Sequence, residues 1–266
     1  MQHRAKKRFG QNFLVDGNIT QRIVSSINPQ VGERLLEIGP GLGAITKPLL
    51  QAVGEMDVIE LDRDVIPELE NNCANIGHLR VHSCDVLKFD FMEFFQRDGT
   101  GRKLRIIGNL PYNISTAVLF RCLKYRQVVH DMHFMLQKEV VERIAASPQQ
   151  HASYGRLSVM MQTWFEVSPL FTVSAQCFRP VPKVESAILR LQPCETFAPQ
   201  IVDPDEYALL VRLAFATRRK TLKNNLKSLC TPQQLIAADI RPGQRAEELE
   251  VADFVRLHRL IAASHT

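Results

Sequence analysis

The 266-residue sequence predicts an α/β fold, a mostly parallel sheet with an antiparallel edge pair, followed by a small all-α domain. Three observations lead there. From Arg34 to about residue 147, short apolar strands alternate with amphipathic helices, the pattern of βαβ units and a sheet buried on both faces. Two further strand-like stretches, 166–174 and 185–193, follow one another with no helix between them, which suits antiparallel pairing at an edge. Beyond 193 the apolar spacing is helical.

In chain order, "RLLEI" (34–38) is a short buried strand, "GPGLG" (39–43) the turn after it, and "AITKPLLQA" (44–52) a helix. Pro48 lies early in that helix, where a missing N–H is tolerated, and Pro67 stands similarly in "RDVIPELENN". That second helix follows the strand "MDVIELD" (56–62). "LRVHSCD" (79–85) makes a third strand, "KLRIIGNL" (103–110) a fourth leading to the helix "STAVLFRCLKYR", and "DMHFMLQ" (131–137) a fifth leading to "KEVVERIAAS". "GRLSVMMQTWF" reads as a helix, then "EVSPLFTVS" and "ESAILRLQP" as strands joined through "CFRPVPKV". "PCETFAPQIVDPDE" (193–206) is a proline-rich linker, and 207–229, 231–240 and 251–263 are helical, the second opened by Thr231 as cap with Pro232 behind it. The expected domains are 1–193 and 194–266.

Hydrophobic residues make up 45% and charged residues 23%, ordinary for a globular chain with a sizeable core. The net charge of +5 is unevenly placed: Arg4, Lys6, Lys7 and Arg8 crowd one end, and Arg218, Arg219, Lys220, Lys223 and Lys227 form a second acid-free cluster. A single basic run is most simply a solvated face. Two runs flanking one site point to a polyanion. The six cysteines include no C-x-x-C pair and read as reduced core residues. His130 and His133 lack a neighbouring thiol or carboxylate cluster, so no metal is expected. An apolar signal region and a membrane-length run are both missing from the pattern, and a cytoplasmic, membrane-free protein is expected.

Strand, glycine-rich turn and helix make a nucleotide pocket, since glycines allow a sharp turn and close approach of a ligand. Gly39-x-Gly41-x-x-Ala44 also satisfies the dinucleotide fingerprint, and Glu60 at the end of the next strand would hold ribose hydroxyls in either case. Pro40 removes an amide that a pyrophosphate would use, and Glu37 suits an amine or sulfonium better than a phosphate. Asp85, ending the third strand, is placed to accept from an adenine amino group. S-adenosylmethionine (AdoMet) has that profile, with NAD the alternative.

"GNLPYNIST" (108–116) ends the fourth strand with an amide, a proline and a ring together. An exocyclic adenine nitrogen is a poor nucleophile, and methylating it requires acceptors for its hydrogens and a flat face for the base. Asn109 offers a side-chain carbonyl. Leu110 offers a main-chain carbonyl fixed by Pro111, which restricts the residue before it to extended geometry. Tyr112 supplies a stacking surface. A strand terminus with a plain turn is the simpler reading of the tetrapeptide taken alone.

Together and in this order, "KKRFGQNFL", "EIGPGLGAIT", "GNLPYNIST", "CFRPVPKVES" and "AFATRRKTLKNNL" resemble the ribosomal RNA adenine dimethyltransferase family over nearly the whole chain. The resemblance implies a Rossmann-like class I AdoMet-dependent methyltransferase domain and a C-terminal helical rRNA-binding domain. It implies dimethylation at N6 of two adjacent adenosines in a hairpin loop near the 3′ end of small-subunit rRNA, in an assembling 30S particle, by an enzyme active in ribosome biogenesis; a monomer is expected. Asn12 and Leu14 match an arm that closes over the cofactor. Gly39, Glu60 and Asp85 match positions touching methionine, ribose and adenine, and Asn109 matches one shared with the target. Phe178 resembles an aromatic covering the base opposite Tyr112; its simpler reading is a core ring. Arg4, Lys6, Lys7, Arg8, Arg218, Arg219, Lys220 and Lys223 are the expected RNA contacts. Leu110 separates this branch from antibiotic-resistance methyltransferases of large-subunit rRNA, which usually carry Ile there.

Overall fold

The computed structural model describes residues 11–264. The basic group Arg4, Lys6, Lys7 and Arg8 lies outside the described residues. The chain divides into two compact units, one of residues up to Val141 together with Ser168–Pro193, the other of Glu142–Val167 together with Cys194 onward.

The first unit opens with β1 (Phe13–Leu14) and α1 (Gly17–Ile27), then alternates β2 (Arg34–Ile38), α2 (Thr46–Val53), β3 (Glu55–Glu60), α3 (Ile66–Cys73), β4 (His78–Ser83), α4 (Phe91–Arg97), β5 (Leu104–Asn109), α5 (Ser115–Lys124) and β6 (Val129–Gln137). Further along the chain come α6 (Lys138–Ala145), which runs into the second unit, α7 (Arg156–Trp164) within the second unit, β7 (Phe165–Val173), which returns to the first, and then β8 (Phe178–Arg179) and β9 (Ser186–Pro193). The sheet order is β4-β3-β2-β5-β6-β9-β7. β4, β3, β2, β5 and β6 are parallel, and β9 runs antiparallel to β6 with β7 outermost. The strand order reverses between β2 and β5, and open α/β sheets carry ligands in the crevice at such a point. Leu36, Leu104, Ile106 and Phe134 on the central strands are fully buried, as expected for a sheet covered on both faces.

The opposite ends of β5 and β6 are pinned by charge. Arg105 donates from Nε and Nη2 to the two oxygens of Asp131 at 2.9 Å each, from Nη1 to Glu33 at 2.6 Å, and from Nη2 to the Ile27 carbonyl at 2.7 Å. Burial alone would raise the Asp131 carboxyl; the Arg105 hydrogen bonds and charge outweigh it and leave Asp131 below its ordinary range. α1 and α4 escaped the sequence reading, although each starts at an aspartate that accepts from two first-turn N–H groups, Asp16 from Asn18 and Ile19, Asp90 from Met92 and Glu93. The two-stranded sheet of β1 and β8, pairing Phe13 with Arg179 and Leu14 with Phe178, was also unforeseen. Strands of two residues carry no legible period.

The second unit contains α7, α8 (Pro204–Ala214), α9 (Leu222–Asn225), α10 (Pro232–Ala237) and α11 (Val251–Ala263). Residues 142–167, placed with the first domain in the sequence reading, therefore group with the C-terminal helices. The physical reason is the buried face of α7. Trp164 meets Tyr207 of α8 edge-on, and Thr163 Oγ1 lies 2.8 Å from the Tyr207 hydroxyl. On α8, Tyr207, Leu210, Val211 and Ala214 form the buried stripe at helical spacing, each large side chain contributing about 1.5–3 kcal/mol by burial. The continuous helix expected over 207–229 is broken after Ala214. The Asn225 amide donates to the Ala214 and Thr217 carbonyls at 2.7 and 3.0 Å, capping α8 where the chain turns. All six cysteines are free.

Candidate active site

A cleft of about 410 Å³ opens at the carboxyl ends of β2, β3 and β5. Its floor is the turn after β2. The Gly39 N–H donates to the Ile59 carbonyl at 2.9 Å, and Gly43 N–H to the Pro40 carbonyl at 3.0 Å, so the loop curls back over the strand ends. Gly41 has φ +56°, and a Cβ there would sit 3.1 Å from the Phe13 ring. Glycine is required both by the backbone and by the arm lying across it. Gly108 serves the neighbouring strand: a Cβ would stand 2.8 Å from the Ile38 carbonyl oxygen, so only glycine lets β5 deliver Asn109 beside Gly39.

The sequence-derived cofactor residues converge. Asn12, Leu14, Gly39, Glu60, Asp85 and Asn109 all line this cleft. Glu60, nearly buried, accepts from the Asp62 N–H at 2.8 Å. Burial raises its carboxyl; backbone donors from Asp62, Gly41 and Leu61 oppose that, and the net shift is upward. Asp85 accepts from the Leu87 N–H at 2.9 Å through Oδ1, leaving Oδ2 for a ligand. Glu37 is only 2% exposed yet contributes to the lining, and Thr46 Oγ1 donates to its Oε2 at 2.6 Å. Burial pushes the Glu37 carboxyl up to about 7, with the Thr46 hydrogen bond opposing and Glu60 adding to the rise. The arm is fixed by the β1–β8 pairing, by Val15 N–H to the Cys177 carbonyl at 2.9 Å, and by Gln11 Nε2 to Asp62 at 3.0 Å.

The Asn-Leu-Pro-Tyr segment forms the adjoining wall. Asn109 Nδ2 donates to the Asn12 carbonyl at 3.2 Å. That contact sets the amide's orientation and leaves Oδ1 as the acceptor a substrate amine can use. Leu110 N–H donates to Met135 O at 3.1 Å, and the Pro111 carbonyl starts α5 by accepting from Ser115 at 3.0 Å. The Tyr112 ring is half-buried, its hydroxyl 3.1 Å from Ser186 Oγ.

Phe178 departs from expectation. It is 1% exposed, belongs to the core cluster with Leu14, Val173 and Ile188, and does not line the cleft. Pairing with Leu14 in the short β1–β8 ribbon turns the residue inward, so its ring is a core ring and offers no open face to a base. Arg218, Arg219, Lys220 and Lys223 are exposed in the second unit, and Arg218 Nη2 donates to the His151 carbonyl. Sequence reasoning missed Gln11, Leu61, Asp62, Thr46 and Ser186. Asp62, two residues past Glu60, was the most accessible of these, since a second acid at a strand end is unusual; the others carry no local mark.

The lining tests which ligand fits. Among the described residues it contains the carboxylates Glu37, Glu60 and Asp85 and no Lys, Arg or His. A pyrophosphate would meet only like charge there, which disfavours a dinucleotide. A ribosyl adenine with a cationic, phosphate-free tail fits. The described residues also include no cluster of His, Cys, Asp and Glu suited to a metal ion, and no helix long and apolar enough to cross a membrane.

A family model described as ribosomal RNA adenine dimethylase matches residues 2–263. Ribosomal RNA small subunit methyltransferase A of Xanthomonas euvesicatoria pv. vesicatoria (strain 85-10) is 51% identical over 253 residues, covering 95% of each chain. The protein of the same name from Xanthomonas oryzae pv. oryzae (strain PXO99A) matches with the same 51% identity and 95% coverage. Among solved structures, a dimethyladenosine transferase from Plasmodium falciparum is similar at TM-score 0.78 and 25% identity, covering 92% of this chain and 95% of its own. The 23S rRNA methyltransferase ErmE shares the fold at TM-score 0.69 and 23% identity, covering 94% of this chain and 100% of its own.

Proposed function

The chain belongs to the ribosomal RNA adenine dimethylase family and is an AdoMet-dependent rRNA methyltransferase; from that premise we propose that it dimethylates N6 of two adjacent adenosines in a hairpin loop near the 3′ end of small-subunit rRNA, during assembly of the 30S particle. The observation that carries the reading is the Asn109 amide, tethered through Nδ2 to the Asn12 carbonyl with Oδ1 left to accept, at the mouth of an anionic cleft.

When bound, AdoMet supplies a methyl group made electrophilic by its sulfonium charge. Glu37 would face the cationic methionine end, Glu60 the ribose hydroxyls and Asp85 the adenine amino group. Gly39 and Gly41 give the backbone clearance, and Asn12 and Leu14 close the arm over the cleft. The target adenine must leave its stack to enter, which suits a loop rather than a duplex. Tyr112 holds the base by its ring face, worth about 1–3 kcal/mol. Asn109 Oδ1 and the Leu110 carbonyl accept the two amino hydrogens, drawing the nitrogen toward pyramidal geometry with its lone pair free to attack. Most of the acceleration comes from this positioning. The proton released from the alkylated nitrogen passes to water, and no side chain need act as base. Before the second transfer one acceptor contact is given up, because the monomethylated nitrogen carries one hydrogen.

Arg218, Arg219, Lys220 and Lys223 would hold RNA phosphates, together with Arg4, Lys6, Lys7 and Arg8. Affinity should then fall steeply with salt, and reversing two of the exposed charges should flatten that slope. The decisive experiment is mass spectrometry of small-subunit rRNA after incubation with protein and AdoMet. Two adjacent N6,N6-dimethyladenosines in one loop support the proposal; methylation elsewhere, or of DNA in preference to RNA, refutes it.

A further inference from the structure

Thr46 is fully buried and does not line the cleft, so it reaches any ligand only through Glu37. Its hydroxyl stands in the first turn of α2 and donates to Glu37 Oε2 at 2.6 Å, the one side-chain hydrogen bond to that carboxylate among the described residues. A buried carboxylate without a donor would neutralise, because burial penalises the charged form. The hydroxyl fixes one oxygen in the protein and leaves the other for the cleft. We propose that Thr46 is a positioning residue for the cofactor, holding Glu37 ionised and oriented toward the cationic methionine end of AdoMet. The inference rests on the assignment of that end to Glu37 and adds the residue that makes the assignment work near neutral pH.

The surrounding charges give the direction of the effect. Glu60 on β3 repels the Glu37 carboxylate and, with burial, raises it; Thr46 is the group that opposes them. On α3, Cys73 feels Glu37 as a raising influence and Lys47 of α2 as a lowering one. Glu37 titrates at about 7, so below that region it is neutral and offers a cation little. A cationic ligand stabilises the charged form, so AdoMet affinity rises with pH through neutrality, and binding below it releases a proton. Removing the Thr46 hydroxyl moves this transition to higher pH. A like-shaped side chain without the hydroxyl isolates the effect, which makes Thr46→Val the informative change.

The test is isothermal titration of AdoMet into the full chain across pH, in buffers of different ionisation enthalpy so that released protons are counted. Thr46→Val should weaken binding by about tenfold or more at neutral pH, tenfold being the low end for one lost hydrogen bond to a charged group. The deficit should shrink in alkaline buffer, and Thr46→Ser should restore both affinity and pH profile. Glu37→Gln should bind weakly with no pH dependence in this range, and adding Thr46→Val to it should change nothing further. Native affinity and pH profile in Thr46→Val, beside a weakened Glu37→Gln, would overturn the role of Thr46 alone. Native binding by Glu37→Gln would overturn the assignment of Glu37 and the inference with it. If Thr46→Val unfolds, Thr46→Ser against Thr46→Ala decides: equal pH profiles refute the hydroxyl's role.

Discussion

Replacing Asn109 by Ala removes the only side-chain carbonyl proposed to accept from the target amine, together with the 3.2 Å tether to the Asn12 carbonyl. In the ground state the amine is neutral, and such a hydrogen bond is worth about 0.5–1.5 kcal/mol. As the nitrogen gains positive charge the same acceptor faces a charged donor, worth about 1.5–3 kcal/mol. The full transition-state value appears in kcat/KM, a loss of about tenfold to 150-fold; only the excess over the ground state, about fivefold to twelvefold, appears in kcat. Freed of the tether, the arm at Asn12 still has the β1–β8 pairing and the Gln11–Asp62 contact, so the cleft should keep its shape. AdoMet affinity should therefore change by about twelvefold at most, one neutral contact. Single-turnover methylation of the rRNA and calorimetric titration of AdoMet measure the two quantities separately. Unaltered turnover refutes the reasoning, as does a loss in cofactor affinity equal to the loss in kcat/KM, which would make Asn109 a cofactor ligand and nothing more.

Arg105→Ala should destabilise the protein by about 3–5 kcal/mol in urea unfolding, because it leaves Asp131 buried without its bidentate partner. Asp131 sits below its ordinary value, so its contribution is present above the unfolded carboxylate range and is lost as pH falls through the lowered folded value; the deficit of the variant should narrow in acid. Glu37 has the opposite sign: raised to about 7, it contributes stability below the ordinary carboxylate value that is lost as pH rises through neutrality. Cofactor-free Glu37→Gln should accordingly be more stable than the native chain at mildly alkaline pH, by up to about 3 kcal/mol, and equal to it at low pH. Ser186→Ala and Tyr112→Phe each delete one end of the 3.1 Å hydroxyl contact. Either should raise KM for RNA severalfold with AdoMet affinity unchanged, and the double variant should be no worse than the singles; additive losses would mean that Ser186 does not aim the ring.

Legibility followed the range of the signal. The strand at 34–38, its glycine turn and the helix behind it were readable because apolar period and turn chemistry are properties of neighbouring residues. Asn109 to Tyr112 stood out for a similar reason: amide, proline and ring are adjacent, and their place at a strand end follows from the pattern before them. The helix expected over 207–229 shows where local reasoning fails, since the apolar spacing continues while the Asn225 side chain, from beyond the turn, captures the last carbonyl of α8, that of Ala214, and the Thr217 carbonyl in the turn. Phe178 fails in the same way, as its inward turn is set by pairing with Leu14 at the far end of the chain.

By itself, then, the sequence determined the succession of strands and helices, the anionic character of the nucleotide loop and the residues proposed to meet the target amine. The tertiary structure alone decided which of those residues meet. It set Asn12 beside Asn109, Ser186 behind Tyr112 and Thr46 against Glu37, and it withdrew Phe178 into the core. The physical reason is that, apart from the Thr46–Glu37 contact within a single strand–turn–helix unit, these contacts join distant segments of the chain and depend on strand order and register. Both are settled by burying one continuous core, and no stretch of neighbouring residues encodes them.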